Sequence, residues 1–294
     1  MATSLVKTVP ADAAGRHQGD DRPVRETRWI CLFVAAILVA AVVLLWIAPG
    51  RTDELWAWTI KPSMTPLFMG SAYAAGAYFF ARGFRTTRWH RIAAGFPGIA
   101  VFAALMFVAT LIHWEKFNHG DAPAAAAASF YGWTIVYAIA PLLVGGAWLR
   151  NRGADPGTPE RPDAVVPGAL RVVVASGGAA AVAIGAVIFA APDVGVDHWP
   201  WALTPLTARV VASFVVEGGL IALFLARDAR WSAWRILTQT TVVGAGFLLV
   251  SVARAWNDWE RGALTWVLLP ALAATLLGAL ALHVALDRRA RAGV

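Results

Sequence analysis

The chain has 294 residues, of which 59% are hydrophobic and only 15% are charged. An ordinary soluble domain carries about 25% charged residues, so this composition excludes a typical soluble fold and predicts a protein solvated by lipid. The formal net charge of +7 does not indicate nucleic-acid binding, because the basic residues lie in short segments between apolar runs and form no stripe along one element.

Eight apolar segments are long enough to cross a membrane, which takes about 20 mostly apolar residues in a helix. Helices are predicted because lipid offers no partner to free backbone groups and because the alternating pattern of barrel strands is absent from the sequence. The segments are residues 29–48, 64–82, 92–113, 130–149, 169–191, 205–226, 233–253 and 264–286.

The first segment is predicted to be a retained span and not a cleaved signal peptide. A polar tail of 28 residues precedes it, and no small-x-small cleavage site follows it. It contains Cys31, the only cysteine, which excludes an intrachain disulfide and a cysteine metal cluster.

The distribution of arginine and lysine predicts the orientation. Nineteen of these 25 residues lie in the amino-terminal tail, in the connections after the second, fourth and sixth spans, and in the carboxyl tail. Because short cytoplasmic segments of membrane proteins are enriched in arginine and lysine, both termini are predicted to be cytoplasmic.

The two halves of the chain resemble each other. At a shift of 143 positions, Pro49, Trp56, Trp58 and Pro62 fall on Pro192, Trp199, Trp201 and Pro205. Because each half has four spans, both halves enter the membrane in the same direction. The predicted fold is therefore an all-α integral membrane protein with eight transmembrane helices arranged as two parallel four-helix repeats.

The repeats are predicted to occupy residues 29–150 and 169–287. The linker between them, residues 151–168, is rich in proline, glycine and charge, which predicts a flexible cytoplasmic joint. Residues 1–28 are predicted to be a disordered cytoplasmic tail, and residues 288–294 a short cytoplasmic tail.

One stretch of the second half carries a family resemblance. Trp199-Pro-Trp201-Ala-Leu-Thr204-Pro205-Leu206-Thr207-Ala-Arg209 resembles an element of uncharacterised multi-pass membrane proteins of actinobacteria and related bacteria. The first half has only a partial copy, Trp56-Ala-Trp58-Thr-Ile-Lys-Pro62, without the Thr-Ala-Arg ending. The resemblance implies an element shared by that family at the outer end of the sixth span and implies no activity. The chain is expected in the bacterial inner membrane.

Glu217 is the most informative single residue. It lies about 11 positions, or roughly 16 Å, from the outer end of the sixth span and hence close to the bilayer midplane. An acid at that depth is costly, and such residues usually face a bundle interior and mark a pathway. Its counterpart in the first half is Ala74, and Gln239 or Thr241 is its predicted partner. With Ser213, these residues are predicted to line a cavity, although a purely structural hydrogen bond is the alternative.

The predicted outer surface holds ten of the fifteen tryptophans. A belt at the membrane interface is the ordinary explanation, and a platform that stacks on sugars or lipid headgroups is the alternative. The candidate binding residues on this surface are Trp56, Trp58, Trp199, Trp201, His113, His198 and Arg209. The histidines and nearby carboxylates are too loosely spaced to predict a metal site.

These features leave three functional hypotheses. The first is a transport or permease-like protein in which Glu217 contacts a proton or a substrate. The second is a non-catalytic scaffold that binds envelope lipid, glycan or a partner membrane protein through the outer tryptophans. The third is an enzyme at the outer face that uses His113 or His198. The lipid bilayer is the expected surrounding, and neither a cofactor nor a nucleic-acid partner is expected, since no such motif is found.

Overall fold

The computed structural model describes residues 19–292, and the regular structure of these residues is helical. Their two β-type contacts are isolated bridges. The long helices of the described chain are α1 (Arg25–Val42), α2 (Met64–Arg85), α3 (Gly95–Ile112), α4 (Ala124–Asn151), α5 (Gly168–Ala190), α6 (Pro205–Leu225), α7 (Trp231–Arg254) and α8 (Ala263–Ala292). Shorter helical segments extend or connect them at Val43–Ile47, Pro49–Arg51, Thr52–Leu55, His90–Ala93, Trp114–Lys116, Pro192–His198 and Trp256–Asp258.

Seven helical segments in the described residues are long and apolar enough to cross a membrane. They are Arg25–Ile47, His90–Ile112, Ala124–Asn151, Gly168–Ala190, Pro205–Leu225, Trp231–Arg254 and Ala263–Ala292. The prediction of an all-helical chain with several apolar spans is confirmed at this level, whereas the count of eight spans stays a prediction.

The helix outside this set is α2, although it has 22 residues. It lies between α1 and α7, and most of its residues are buried. Ser71, Tyr73 and Tyr78 make it less apolar, and each has a hydrogen-bond partner inside the bundle. A helix flanked by other helices contacts protein more than lipid, so it does not need an apolar surface on every side.

The central helices of each half pack on the other half. In the first half, α2 lies against α1 and α7, and α3 lies against α4 and α6. The peripheral helices of the second half, α5 and α8, lie against α6 and α7. The contacts of α2 with α7 and of α3 with α6 therefore join the two halves in the middle of the bundle.

The backbones of α5 and α6 are in close contact. A Cβ atom added at Gly219 would lie 2.6 Å from the carbonyl oxygen of Gly178, and one added at Gly178 would lie 2.8 Å from the carbonyl oxygen of Gly219. Only glycine allows the two backbones to approach this closely. Gly218, in contrast, has no atom within 4 Å of an added Cβ.

The two ends of the bundle differ in composition. The arginine-rich face is formed by residues 19–28, 86–91, 151–167, 226–235 and 286–292. The tryptophan-rich face is formed by residues 46–63, 113–123, 191–204 and 255–262. The connections that the sequence assigned to one side of the membrane thus gather at one end of the structure.

Residues 19–28 contact the rest of the arginine-rich face. The amide of Asp21 donates to the carbonyl oxygen of Ala154 (2.9 Å), and the amide of Trp89 donates to the carbonyl oxygen of Asp21 (2.7 Å). The prediction of a disordered tail up to residue 28 therefore differs from the structure over residues 19–28, because these contacts hold the chain and α1 begins at Arg25. The remainder of that prediction, residues 1–18, lies outside the described residues.

The linker is held against the arginine-rich face and is not a free joint. The amide of Val166 donates to the carbonyl oxygen of Ala229, and the amide of Trp231 donates to the carbonyl oxygen of Ala164, both at 2.8 Å. Composition predicted flexibility here because proline and glycine disfavour helix, but the charged side chains of the linker find partners on the bundle. At the other end of the chain, α8 continues to Ala292, so most of the predicted carboxyl tail is helical; residues 293–294 lie outside the described range.

Several contacts recur at offsets of 142 or 143 positions. On the tryptophan-rich face, the amide of Asn118 donates to the carbonyl oxygen of Ala57 (2.7 Å), and the amide of Glu260 donates to that of Pro200 (2.8 Å). The rings of Trp58 and Phe117 have centroids 5.2 Å apart, and the same distance separates Trp201 from Trp259. The packing pairs recur too: α1–α2 with α5–α6, α3–α4 with α7–α8, and α2–α7 with α6–α3.

Candidate functional site

A cavity of about 1730 Å³ opens among the helices of the bundle. Its wall is formed mainly by alanine, leucine, valine, isoleucine and phenylalanine side chains. Within the described chain, Glu217 is the one acidic or basic residue in that wall. The cavity is therefore apolar with a single carboxyl group on its surface.

Glu217 lies on α6, about 18 Å along the helix from its first residue. The side chain is half-buried, and it forms no hydrogen bond to any residue of the described chain. Two other polar groups of the wall are the hydroxyls of Tyr73 on α2 and Tyr137 on α4, which lie 2.8 Å apart and satisfy each other. Within the described chain, the carboxyl group is thus the ionisable group of the wall without a hydrogen-bond partner, and the indole nitrogen of Trp56 is a neutral donor of the wall that also lacks one.

The structure brings together only some of the residues predicted for this cavity. Thr241 lines it with Glu217, although its hydroxyl donates to the carbonyl oxygen of Leu237 in its own helix (3.0 Å). Ser213 does not line it; its buried hydroxyl donates to the carbonyl oxygen of Arg209 (2.8 Å). Thr241 and Ser213 therefore satisfy their hydroxyls within one helix turn, which a sequence does not distinguish from a contact across helices.

Gln239 belongs to a separate polar cluster nearer the arginine-rich face. Its Oε1 accepts hydrogen bonds from the hydroxyl of Tyr78 (2.7 Å) and from Nη1 of Arg82 (2.8 Å). Its Nε2 lies 3.5 Å from Nε2 of His283. Gln239 is therefore occupied by α2 and α8 and is not the partner of Glu217 in this structure.

The tryptophans proposed as a stacking platform pack mostly against protein. Trp56, Trp58 and Trp201 are buried, and Trp199 is half-buried. Trp58 packs edge-on against Trp133 (4.9 Å between centroids). The exposed indole rings at this end of the bundle belong to Trp114 and Trp256, and to Trp266 in the first turn of α8.

The remaining candidates of the tryptophan-rich face do not form one site. Nη1 of Arg209 lies 2.8 Å from Nε2 of His113, whereas His198 is exposed and its Nδ1 contacts the carbonyl oxygen of Val194 in its own turn. Burial, followed by the charges of Arg209 and Lys116, lowers the pKa of His113. The Arg209–His113 contact is therefore one between a cation and an imidazole that favours its neutral form.

A cluster of ionisable groups that the sequence did not predict lies on the arginine-rich face. Nδ1 of His90 is 2.6 Å from Oδ2 of Asp21, and Nε2 of His90 is 3.3 Å from Oε1 of Glu160. Both carboxylates come from segments that composition assigned to a disordered tail and a flexible joint, so no local pattern pointed to this meeting. The signal available was the offset of 142 that relates Asp21 and His90 to Asp163 and Ser232.

Compared with protein-family models, curated proteins and solved structures, the chain gives no significant match. The class defined by the fold is a helical bundle compatible with a multi-pass membrane protein, with an apolar cavity that carries one carboxyl group.

Proposed function

We propose that the chain is a multi-pass protein of the bacterial inner membrane that takes a mostly apolar molecule into its cavity and contacts a polar group of that molecule through Glu217. The observation that carries this proposal is the half-buried carboxyl group without a hydrogen-bond partner in an otherwise apolar wall.

The energetics of the wall favour a ligand. A carboxyl group in apolar surroundings costs several kcal/mol unless a partner satisfies it, and intramembrane acids are for this reason associated with pathways. An amine or a hydroxyl group of the ligand, or a proton bound to the carboxylate, would supply the missing partner. Apolar walls bind apolar surface, so a small hydrophilic solute fits this cavity poorly and an amphiphile fits it well.

Internal duplication supports a transport role over simple storage. We propose that the two halves are parallel four-helix repeats, and the contacts that recur at offsets of 142 and 143 support this. Glu217 corresponds to Ala74, so the carboxyl group belongs to one half alone. A cavity between two similar halves can open by movement of one half against the other, with the acid as the site of proton or substrate coupling.

The orientation is proposed to be arginine-rich face inward, in agreement with the positive-inside rule. Single cysteines at the exposed positions Thr87 and Glu115, in a Cys31→Ser background, test it in whole cells. A membrane-impermeant maleimide should label the Glu115 position only. Labelling of the Thr87 position in intact cells would reverse the topology.

The cavity is tested by identifying lipids and other amphiphiles that copurify with the full chain in mild detergent. Glu217→Gln should reduce recovery of the specific ligand at least about tenfold, because an amide cannot pair with a cation or exchange a proton. Gly218→Phe should do the same by filling space, since Gly218 lines the cavity and faces open room. Ser213→Ala and Gly218→Ala are the matched controls and should retain the ligand.

A transport step is tested with the ligand so identified, in proteoliposomes. Uptake should depend on pH in the wild type and lose that dependence in Glu217→Gln. Equal recovery of the same amphiphile by wild type, Glu217→Gln and Gly218→Phe would contradict the cavity proposal, and unchanged pH dependence of uptake would contradict the coupling.

A second candidate function is binding of an envelope glycan or lipid headgroup at the tryptophan-rich face. It is favoured by a small pocket of about 120 Å³, lined by Trp256, Asn257, Trp259, Glu260, Arg261, Thr265 and Trp266. Exposed indole faces beside a carboxylate and a guanidinium suit a sugar ring, which offers both apolar and hydroxyl surfaces. Trp256→Ala and Trp266→Ala should then abolish glycan retention, whereas Trp199→Ala should affect it little.

A further inference from the structure

The cluster on the arginine-rich face combines three groups that bind transition metals. One ligand atom each from Asp21, His90 and Glu160 can be chosen so that all lie within 4.8 Å of one another. They come from three separate parts of the chain: the segment before α1, the short helix before α3, and the linker. The imidazole is 1% exposed, the carboxylate of Asp21 is 4% exposed and that of Glu160 is 19% exposed.

Among the described residues, the charged groups in contact with this imidazole are two carboxylates, those of Asp21 and Glu160. Arg91 pairs with Glu160 through two hydrogen bonds, and Arg88 reaches Asp21 only at 3.8 Å from a half-exposed side chain. A third carboxylate, Asp163, accepts from the hydroxyl of Ser232, which in turn lies 3.0 Å from Nε2 of His90. A buried carboxylate needs compensating charge, and a divalent cation would supply it to Asp21, whose arginine contact is the longer of the two.

The second half of the chain shows how much of this cluster a structural role requires. Asp163 accepts from the amide (2.9 Å) and the hydroxyl (2.6 Å) of Ser232. Asp21 accepts from the amide of His90 (3.0 Å), and its other oxygen contacts the ring (2.6 Å). Both aspartates thus hold the start of a helical segment in the same way, 142 positions apart. Because a serine is sufficient to hold the aspartate in the second half, this structural role does not require the imidazole of His90.

We propose that Asp21, His90 and Glu160 form a binding site for a transition-metal dication of the zinc type. An imidazole nitrogen with two carboxylate oxygens is a ligand set of zinc, whereas calcium and magnesium prefer oxygen ligands alone. The nitrogen that binds the ion gives up any proton it carries, and the ion replaces the present hydrogen bonds. The ion would tie the amino-terminal segment and the linker to the first half of the bundle.

The proposal is tested by zinc binding to the full chain, purified in detergent with a tag that lacks histidine and stripped with EDTA. Titration with ZnCl₂ should saturate at one ion per chain and raise the thermal midpoint, and MgCl₂ should do neither. His90→Ser is the decisive variant, because it reproduces the Asp163–Ser232 arrangement and should fold. It should weaken zinc binding by more than about 100-fold, since loss of outer-shell partners alone costs 10–100-fold.

His283→Ser is the matched control. Its imidazole lies on the same face, 3.7 Å from a single carboxylate, Asp287, and does not belong to the cluster. It should bind zinc as the wild type does. Glu160→Gln is a second, independent variant of the same site and should also lower the affinity for zinc. It keeps the proposal testable if His90→Ser does not fold. A wild type that binds no zinc at one equivalent, or wild-type affinity in His90→Ser or Glu160→Gln, would overturn the proposal.

Discussion

Arg230 is one of the residues that anchor the linker to the bundle, and its removal gives a quantitative test. Its guanidinium donates to Asp155 from Nη1 (2.8 Å) and Nη2 (2.6 Å), and to Asp228 from Nε (2.9 Å). The side chain is 10% exposed. Burial tends to raise the pKa of Asp155, but the hydrogen bonds from Arg230 and from the Gly157 amide outweigh it and lower that pKa. The ion pair is therefore formed throughout the neutral range.

Arg230→Gln leaves two carboxylates near each other without their shared cation. Removing one partner of a fully buried ion pair costs about 3–5 kcal/mol, whereas an exposed pair contributes at most about 1 kcal/mol. Asp155 and Asp228 are 24% and 22% exposed, which places this site between the two limits. A cost of about 2 kcal/mol follows for the attached state of the linker, equivalent to about thirtyfold in its local opening equilibrium.

Hydrogen exchange of the linker measures that opening. The amides of Val166 and Trp231 are bonded across the junction between the linker and the start of α7, so they exchange only when the linker lifts. Both should exchange about thirtyfold faster in Arg230→Gln. Arg227→Gln is the control, because the exposed guanidinium of Arg227 stacks on Phe224 and takes part in no ion pair within the described residues. Exchange within about twofold of the wild type in Arg230→Gln would refute the reasoning.

Two further predictions concern the packing of Gly219 and the protonation of His113. Gly219→Ala should destabilise the protein by about 1–3 kcal/mol, because the added methyl group would meet the α5 backbone. Gly218→Ala is the control and should be neutral or slightly stabilising. Thermal midpoints of the two variants measure the difference, and equal midpoints would contradict the prediction. Because the pKa of His113 is lowered in the folded state, the folded state binds fewer protons than the unfolded state as the pH falls through about 6.5. The free energy of unfolding therefore decreases as the pH falls through this range. His113→Gln should show a smaller loss of thermal midpoint between about pH 7.5 and 5.5, and profiles that coincide with the wild type would exclude the effect.

The helical class and the approximate helix positions could be predicted from the sequence because apolar length and lipid solvation determine them. The predicted sixth span, residues 205–226, differs from α6 by one residue at its end. The prediction is least secure at α2, whose polar side chains are tolerated because neighbouring helices, and not lipid, surround it. The hydropathy of a segment does not show which helices surround it.

The candidate sites were less predictable, since side-chain partners depend on tertiary contacts. The predicted depth of Glu217 follows from the helix rise and stays a prediction, and the structure places Glu217 in the cavity wall. Gln239 has a similar predicted depth in the membrane, yet its Oε1 accepts hydrogen bonds from Tyr78 and Arg82 and none from Glu217. The Asp21–His90–Glu160 cluster was missed because composition cannot show that a proline-rich linker folds back onto a helix start.

The crosswise packing of α2 on α7 and of α3 on α6 has a consequence for how such a chain could have arisen. A fragment ending near residue 150 would leave one flank of α2 and one flank of α3 uncovered. On the proposed duplication, two identical fragments could cover these flanks for each other, as subunits of a symmetric dimer do. Fusion into one polypeptide would release each copy from having to match the other, and Glu217 and His90 stand at positions where only one copy carries the ionisable group.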